Sequence, residues 1–416
     1  MINASIITIG DELLIGQVID TNSAWIAQQL NSIGIPVLRR VAVGDNREDI
    51  IQALNQESAS VDVIFITGGL GPTADDITKP LLCEYFGGKM MLHEPSLQLI
   101  THRFEQIFKR PMTERNRKQA EVPDCCQVIL NHNGTAPGMQ FKKAGKLFFS
   151  LPGVPFEMMA MVENDIISLL SNQFNLPAIL HRTLITHGIG ESNLADLLVA
   201  FETTLPAHIK LAYLPNHGMV RLRLSGTSIN EQILCDEIDF LFRQLSDLVA
   251  PYLVASSDAP TEKILGDLLL KNQQTIGTAE SCSGGYIAHL ISSIPGASAY
   301  YKGSIISYDN TMKTAQLGVP APMIEAAGAV SEAVVKKMAE GLLDRLQTDY
   351  AIAVSGIMGP GGGTDEKPVG TVWVAVGDKN EIITKRFHFR FNRQRNIQQT
   401  AINAMLLMRN YITSKN

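Results

Sequence analysis

The sequence predicts an α/β protein of several domains, and three observations lead to this fold class. The chain has 416 residues, which exceeds the size of one ordinary domain. Hydrophobic residues make up 45% of it and charged residues 18%, so the chain can fill packed cores. Short apolar runs alternate with segments of helical periodicity, as expected for mostly parallel sheets flanked by helices.

The first predicted domain spans residues 1–170 and contains such a sheet. Its strands are predicted at 5–9, 37–43, 61–67 and 146–150, and its helices at 22–33, 47–57 and 156–170. Glycine-bearing turns follow the first of these strands, at Gly10, and the third, at Gly68. Ligands of parallel sheets bind beyond the carboxyl ends of the strands, so both turns lie on the predicted ligand edge.

Turn-rich segments at 171–177 and 256–260 predict the two domain boundaries. Between them, residues 171–255 read as a small α+β module with strands 179–186, 209–213 and 220–225 and helices 192–201 and 231–248. The last predicted domain spans 256–416 and begins with a capped helix at Thr261. Strands follow at 275–278, 304–308, 350–354, 369–376 and 382–389, with helices at 283–293, at 331–347 and from about Arg395.

Composition limits the classes of function. The formal net charge is −6 and no basic tail is present, which disfavours sequence-independent nucleic-acid binding. Five cysteines without a C-x-x-C pair do not suit a disulfide framework. The N-terminal segment lacks the basic and apolar regions of a signal peptide, and no apolar run approaches the roughly 20 residues of a membrane helix. We therefore expect a soluble cytoplasmic protein.

The strongest candidate site lies at 278–285, between a predicted strand and a predicted helix. A nucleophile such as Ser281 stands there at the sheet edge, among small neighbours and beside helix-start N–H groups that can hold an oxyanion. Lys313 is the candidate base and Tyr308 its neighbour, provided that the strands preceding them are adjacent. A lysine acts as a base once burial or a nearby cation lowers its pKa. A plain turn or a phosphate cradle remains the alternative, and Cys282 is the rival nucleophile, with no histidine close by.

A second glycine cluster, at 355–364, follows a buried strand. Backbone amides in such a loop can cradle a phosphate, although a flexible hairpin has the same composition. Arg393 and Arg395 open the terminal helix, where positive charge opposes the helix dipole, and this placement hints at an anionic ligand. Solvated surface charge is the blander interpretation of both arginines.

In the first domain, the loop that follows the third strand allows close approach of a phosphate. Asp75 and Asp76 lie a few residues further on, and carboxylates beside a phosphate cradle suit a divalent cation such as Mg²⁺. Asp11 and Glu12, on the other turn, can join the metal or hold a ribose. An ordinary helix cap is the alternative for Asp75 and Asp76. His93 and Glu94 are read as a loop, and the basic residues between 103 and 118 as one helical face.

Several motifs resemble, in order, the C-terminal domain of the CinA family of nicotinamide mononucleotide deamidases. They are 278–285, 308–313, 328–331, 355–363 and 367–372. The resemblance implies Ser281 as nucleophile, Lys313 as general base and Tyr308 as its hydrogen-bonding helper. The substrate-contacting residues that it implies are Ser283, Gly284, Gly285, Ser355, Gly356, Gly361 and Arg395.

Motifs at 10–14, 20–22, 67–73, 75–78 and 151–155 resemble the molybdopterin-binding fold of the same family, and the middle module resembles its KH-like domain. The nucleotide-binding residues that this implies are Gly10, Asp11, Glu12, Asn22, Thr67, Gly68, Gly69, Gly71, Thr78, Pro152 and Gly153, with Asp75 and Asp76 as metal ligands. In some full-length relatives this domain is linked to a metal-dependent ADP-ribose pyrophosphatase activity. The middle module has no clear Gly-x-x-Gly loop with basic flanks, so RNA binding is not inferred.

The expected function is therefore hydrolysis of the nicotinamide mononucleotide carboxamide by a serine–lysine pair that needs no metal. A second expectation is ADP-ribose hydrolysis by the N-terminal domain with Mg²⁺ or a similar divalent metal. The alternative is a nucleotide- or molybdopterin-binding partner protein with vestigial sites. The expected partners are small nucleotides, without a membrane or nucleic acid, and the resemblance implies a homodimer.

Overall fold

A computed structural model describes residues 2–73, 76–216 and 218–415. The chain divides into two compact units. One comprises Met1–His181, Pro206–Lys210 and Leu224–Phe242, and the other Arg182–Leu205, Leu211–Arg223 and Arg243–Asn416. The predicted boundaries of the three domains stay a prediction.

The N-terminal part alternates strands and helices as the sequence predicts. Its strands are β1 (Ala4–Ile9), β2 (Val37–Val43), β3 (Val63–Thr67), β4 (Met90–Leu92), β5 (Glu121–Pro123), β6 (Gln127–Ile129), β7 (Gly138–Lys143) and β8 (Lys146–Leu151). Its helices are α1 (Asp11–Leu14), α2 (Thr21–Ser32), α3 (Arg47–Ser60), α4 (Thr78–Phe86), α5 (Glu94–His102), α6 (Glu114–Arg117), α7 (Pro155–Met161) and α8 (Ile167–Gln173).

A six-stranded sheet in the order β2-β1-β3-β8-β7-β6 organises this part. The pairs from β2 to β8 are parallel, while β7 pairs antiparallel with both β8 and β6. Every residue of β1 and β3 is buried. Strands covered on both faces carry continuous apolar runs, which is why the sequence shows no alternation there.

The middle segment forms a small sheet with helices. Its elements are β9 (Ala178–His187), α9 (Glu191–Thr203), β10 (Ile209–Asn216), β11 (Met219–Ser228), α10 (Glu231–Leu248) and β12 (Leu253–Ala255). The strand order is β10-β11-β9-β12.

The C-terminal segment again alternates helices and strands. Its elements are α11 (Thr261–Asn272), β13 (Ile276–Glu280), α12 (Tyr286–Ser292), β14 (Tyr301–Ile306), α13 (Asn310–Leu317), α14 (Ala321–Ala327), α15 (Glu332–Leu346), β15 (Tyr350–Gly356), β16 (Thr371–Gly377), β17 (Ile382–His388) and α16 (Arg393–Lys415). The sheet order is β14-β13-β15-β16-β17. The first three strands are parallel and the last two run antiparallel to their neighbours, so the carboxyl ends of β13, β14 and β15 meet at one edge.

Four local expectations were wrong, each for a physical reason. Strand β14 ends at Ile306 and not at Tyr308, because its partner β13 ends opposite it, at Glu280. Helix α11 is preceded by Pro260 with no side-chain cap, and Thr261 is already its first residue. His93 does not lie in a plain loop, since its imidazole caps α5 by accepting from the Ser96 amide.

The fourth expectation concerned the basic residues between 103 and 118, which do not share one helical face. A π-helical turn spans Arg103–Ile107, and α-helix resumes only at Glu114–Arg117. The change of helical period separates side chains that an unbroken α-helix would align. Over the ranges that the structure describes, none of the helices combines the length and the apolar character that a bilayer crossing requires.

Candidate active site

The carboxyl ends of β13, β14 and β15 place the strongest predicted residues around one cavity. Ser281 directly follows β13, Tyr308 and Lys313 follow β14, and Gly356 closes β15. The cavity has a volume of about 190 Å³ and is lined by Ser281, Cys282, Tyr308, Asn310, Lys313, Ala329, Val330, Ser355, Gly356, Met358 and Arg393. The parallel pairing of β13 with β14 meets the condition under which the lysine was expected to reach the serine. The catalytic roles themselves stay predictions.

The turn that carries Ser281 is held from both sides. The Ser281 amide donates to the Val354 carbonyl at 3.1 Å, which continues the pairing of β13 with β15 by one residue. Gly284 and Gly285 then adopt φ values of 61° and 96°, in the left-handed region that favours glycine. A side chain on Gly285 would also press on Ile306, since an added Cβ would lie 2.9 Å from its Cδ1. The turn therefore has this tight path only because small residues follow the serine.

The amides that open α12 are already engaged. The Glu280 carboxylate accepts from the Gly285 amide at 3.1 Å, the Ile287 amide at 3.0 Å and the Ala288 amide at 2.8 Å. The expectation that these helix-start N–H groups hold an oxyanion was wrong for these three donors. Glu280 was not among the predicted site residues, because an acidic residue at the end of a strand is equally compatible with a solvated strand end.

Lys313 is buried, with an exposed fraction of 1%. Its ammonium nitrogen donates to the carbonyls of Ser307 at 3.0 Å and Tyr308 at 3.2 Å. Burial lowers the pKa of Lys313, against a smaller opposing effect of the Asp309 carboxylate. A lowered pKa raises the neutral fraction of the amine, and the neutral amine is the form that accepts a proton.

Tyr308 is 62% exposed, and its hydroxyl does not bond Lys313. That hydroxyl accepts instead from the Arg393 guanidinium at 3.1 Å, and the lysine reaches only the Tyr308 backbone carbonyl. The Tyr308 hydroxyl was expected to help the base, but no direct hydrogen bond to Lys313 supports that role. Tyr308 thus links Lys313, which donates to its backbone carbonyl, with Arg393, which donates to its hydroxyl.

Arg393 is the arginine of this cavity, and Arg395 is not. Besides its bond to Tyr308, Arg393 donates to the Gly359 carbonyl at 2.8 Å. The Arg395 guanidinium lies over the Phe391 ring at 4.2 Å from its centroid. Arg395 lines a separate cavity of about 620 Å³, together with residues such as His187, Glu191 and Asn216. Arg393 thus lines the Ser281 cavity and Arg395 does not, while the expected nucleotide contact of Arg395 stays a prediction.

Four further residues expected to contact substrate lie beside the cavity and not in its lining. The Ser283 hydroxyl donates to Glu280 at 2.7 Å. Ser283, Gly284 and Gly285 line a neighbouring cavity of about 460 Å³, which also includes His289. Gly361 lies in an exposed part of the loop after β15. Of the expected binding residues, Ser355 and Gly356 do line the Ser281 cavity, and the Ser355 hydroxyl donates to the Ala329 carbonyl at 2.8 Å.

Cys282 lines the same cavity as Ser281, but its thiol is poorly suited to be a nucleophile. Burial raises its pKa to about 12, and the negative charge of Glu280 acts in the same direction. Because the thiolate is the reactive form, a thiol that stays protonated near neutral pH is inert. This favours Ser281 over its neighbour as the nucleophile.

A second cavity, of about 360 Å³, lies at the carboxyl edge of the N-terminal sheet. Its lining includes the predicted residues Gly10, Glu12, Asn22, Thr67, Gly68, Gly69, Gly71, Asp76 and Gly153. Three predicted residues are outside the lining: Asp11 exchanges hydrogen bonds with Asp45, Thr78 packs against Gly69, and the Pro152 carbonyl accepts from Thr67. Asp20, which belongs to the motif at 20–22, and Asp45 also line the cavity, although neither was among the predicted site residues.

Asn22 gives this cavity a free acceptor. Its side-chain nitrogen donates to the Gly153 carbonyl at 2.8 Å and to the Thr67 hydroxyl at 3.2 Å. Among the residues that the structure describes, none provides a hydrogen-bond partner for its buried Oδ1. Gly68, with φ at 111°, lies so close to the Ile9 carbonyl that an added Cβ would be 2.2 Å from that oxygen. Position 68 therefore requires glycine, because neither its φ nor the space beside Ile9 admits a side chain.

Of the two predicted metal ligands, Asp76 lines the cavity at the glycine loop. Asp75 falls outside the described residues. The Asp76 carboxylate accepts from the amides of Gly71 and Thr73, both at 2.8 Å, so it closes the glycine loop on itself and does not cap α4. Across residues 2–73, 76–216 and 218–415, no group of three or more His, Cys, Asp or Glu side chains is arranged to hold a metal. A metal role for Asp75 and Asp76 stays a prediction.

Comparison with known proteins identifies the family. The family models that match are described as "Probable molybdopterin binding domain" over residues 5–172, "Damage-inducible protein CinA KH domain" over 181–255 and "CinA C-terminal domain" over 258–412. A CinA-like protein of Flavobacterium psychrophilum is 44% identical over 406 residues, which cover 97% of each chain. The chain belongs to the CinA family.

Other relatives extend this CinA membership. A CinA-like protein of Cytophaga hutchinsonii is 44% identical over 412 residues, covering 98% of this chain and 97% of the relative. Among solved structures, a CinA superfamily protein from Klebsiella pneumoniae matches with 31% identity and a TM-score of 0.36. The match covers 38% of this chain and 99% of the Klebsiella chain. The predicted fold class is confirmed: a molybdopterin-binding-like N-terminal domain, a KH-like middle module and a CinA C-terminal α/β domain.

Proposed function

We propose that the C-terminal CinA domain hydrolyses the carboxamide of nicotinamide mononucleotide, giving nicotinate mononucleotide and ammonia. The observation that carries this proposal is the cavity that Ser281, Lys313 and Arg393 share. The hydroxyl can act as nucleophile, the buried amine with its lowered pKa as base and the guanidinium as a binding group for an anion.

The proposed reaction begins with proton transfer from the Ser281 hydroxyl to the neutral Lys313 amine. The Ser281 oxygen then forms a bond to the carboxamide carbon, and the electron pair of the C=O bond moves to the oxygen. When this intermediate collapses, the C–N bond breaks and the lysine returns the proton to the leaving nitrogen, which departs as ammonia. Water attacks the resulting ester with Lys313 again taking its proton, and the serine hydroxyl is regenerated as nicotinate mononucleotide leaves. One water is consumed for each ammonia released.

Arg393 supports an anionic substrate. A guanidinium has five N–H donors, and the bonds to Gly359 and Tyr308 leave several of them for a ligand. Arginine binds phosphate oxygens with charge-assisted hydrogen bonds. The phosphate of a mononucleotide is thus the group that this side chain selects.

The test is ammonia release from nicotinamide mononucleotide by the full chain in EDTA, compared with Ser281→Ala. We expect release by the wild type and a loss of at least about 10³-fold in the variant, the scale on which removing a catalytic nucleophile acts. Circular dichroism checks that the variant is folded. A wild type that releases no ammonia favours the binding-protein alternative.

The N-terminal cavity favours a second candidate function, the binding of a nucleotide. Its glycine loop presents backbone to a phosphate, and the unpartnered Asn22 oxygen can accept from a hydrogen-bond donor of the ligand. The proposal for this domain is therefore the binding of a nucleotide. Hydrolysis of ADP-ribose with a divalent metal stays a prediction, and calorimetry with ADP-ribose, with and without Mg²⁺, tests the binding.

A further inference from the structure

Glu280 is a completely buried carboxylate next to the proposed nucleophile, with an exposed fraction of 0%. Beyond the three α12 amides, it accepts from the Ser283 hydroxyl at 2.7 Å and the Thr278 hydroxyl at 3.1 Å. Within the described residues, no lysine or arginine side chain pairs with it. Burying an uncompensated carboxylate is costly, so hydrogen bonds to the charged form must offset this cost.

Starting a helix does not require such an arrangement. In the same domain, α15 begins with the Ser331 hydroxyl accepting one amide, and α13 begins with the exposed Asp309 carboxylate accepting another. A short polar side chain at the N-cap is the usual solution. Glu280 differs because it is the last residue of β13 and its partners lie on both sides of Ser281, from Thr278 in the strand to Ala288 in the helix. It ties strand, turn and helix into one rigid unit around the serine.

We propose that Glu280 is a positioning residue that fixes the Ser281 turn at the wall of the Lys313 cavity and raises the rate of the chemical step without touching substrate. This inference rests on the proposed function. Reacting atoms must be placed within about half an ångström of the productive geometry, and a misplacement of about 1 Å costs about 100-fold in rate. A turn that contains two left-handed glycines has no rigidity of its own, so the carboxylate supplies it.

The inference also reassigns Ser283. Its hydroxyl is buried and donates to Glu280, so it belongs to the same hydrogen-bonded unit and is not free to donate to substrate. A role in substrate binding and a role in positioning predict different kinetics. Loss of a substrate contact raises KM, whereas loss of positioning lowers kcat.

The experiment compares Glu280→Gln with wild type in ammonia release, using Asp349→Asn as a matched control. Asp349 accepts from the Thr275 amide and hydroxyl, both at 2.7 Å, at the opposite end of β13 from Ser281. Glutamine keeps the shape of the glutamate side chain, but its N–H₂ group cannot accept from the donors that face one of the two carboxylate oxygens. We expect kcat to fall about 100-fold in Glu280→Gln, with KM within about threefold and with Asp349→Asn near wild-type kcat. Unchanged kcat in a folded Glu280→Gln, while the wild type is active, overturns the inference and leaves the proposed function intact.

If Glu280→Gln does not fold, Ser283→Ala tests the positioning role instead. This variant removes one hydrogen-bond donor to Glu280, while the backbone amides still donate to the buried carboxylate. We expect kcat to fall about tenfold with KM unchanged, and a raised KM with normal kcat overturns the inference. A wild type without ammonia release is a failure of the proposed function. In that case amide hydrogen exchange at Gly285, Ile287 and Ala288 tests whether Glu280 holds the turn. Faster exchange in either variant supports this role, and unchanged exchange overturns it.

Discussion

The guanidinium of Arg393 donates a hydrogen bond to the hydroxyl of Tyr308 across 3.1 Å, and the Tyr308 carbonyl in turn accepts from Lys313 at 3.2 Å. A cation that suits a phosphate is thereby joined to the proposed base through one residue. In the proposed reaction, Tyr308 would thus couple the position of the substrate phosphate to that of the lysine base.

Replacement of Arg393 should weaken the binding of phosphorylated substrate. We expect Arg393→Ala to raise KM for nicotinamide mononucleotide about 10- to 100-fold, the range of a lost hydrogen bond to a charged group. For nicotinamide riboside, which lacks the phosphate, the same variant should change KM little. Arg395→Ala is the matched control, and a larger effect from it than from Arg393→Ala would contradict the assignment of the arginine.

The activity should depend on pH through Lys313. Burial lowers the pKa of this amine below its usual 10.5, and the neutral form is the one that acts. The rate constant kcat/KM should therefore rise with pH and level off at a pH below that value. Measuring kcat/KM between about pH 6 and about pH 11.5 checks this, with Tyr308→Phe as a variant whose midpoint should stay close to that of wild type. A midpoint at or above 10.5 counts against a buried lysine base.

Removal of the Cys282 thiol should leave the reaction nearly intact. The raised pKa keeps this thiol protonated, so Cys282→Ala should retain kcat within about threefold. In wild type, iodoacetamide should modify the exposed Cys125 well before Cys282, as followed by peptide mass spectrometry. Loss of activity in Cys282→Ala together with activity in Ser281→Ala would exchange the two assignments.

Gly285→Ala should damage both stability and rate. Its φ of 96° costs an alanine about 1–2 kcal/mol, and the new Cβ would also press on Ile306. Gly296 has a φ of 85° with no atom within 4 Å of an added Cβ, so Gly296→Ala carries the conformational cost alone. We expect a larger fall in Tm for Gly285→Ala and a loss of kcat that Gly296→Ala does not share. Equal effects on both properties would show that the crowding against Ile306 is unimportant.

Replacement of Asp76 should show whether its carboxylate closes the glycine loop or binds a metal. Its carboxylate accepts from the Gly71 and Thr73 amides, so Asp76→Asn should loosen the glycine loop whether or not metal is present. We expect ADP-ribose affinity to fall about tenfold in Mg²⁺ and in EDTA alike, as measured by calorimetry. A fall seen only in Mg²⁺ would identify Asp76 as a metal ligand, and the release of ammonia by the other domain serves as the folding control.

The sequence predicts the general position of the Ser281 site because parallel strands bring their carboxyl ends together. Once β13 and β14 are known to be strands, Ser281 and Lys313 must approach the same edge. The choice between Arg393 and Arg395 is different. Residues two apart on a helix point about 200° away from each other, so only the packed rotation of α16 decides which one faces the cavity.

Glu280 shows a second limit of sequence reasoning. In β13 it is the one charged residue, at the end of the strand, and this position is equally compatible with a solvated strand end. Its function arises from donors at 278, 283, 285, 287 and 288, and these converge only after the turn has folded. The Asp76 carboxylate is similar, since a local loop closure competes there with the expected helix cap.

Lys313 is held by the carbonyls of residues five and six positions before it, and so the base carries its own support within one short stretch from β14 to α13. Both carbonyls that hold the amine therefore belong to the same stretch as the lysine itself. Exchanging residues 301–317 as a block between relatives should therefore transplant the base together with its scaffold. In such a chimaera, the same lysine could be combined with a different nucleophile-bearing turn, in a natural or an engineered protein.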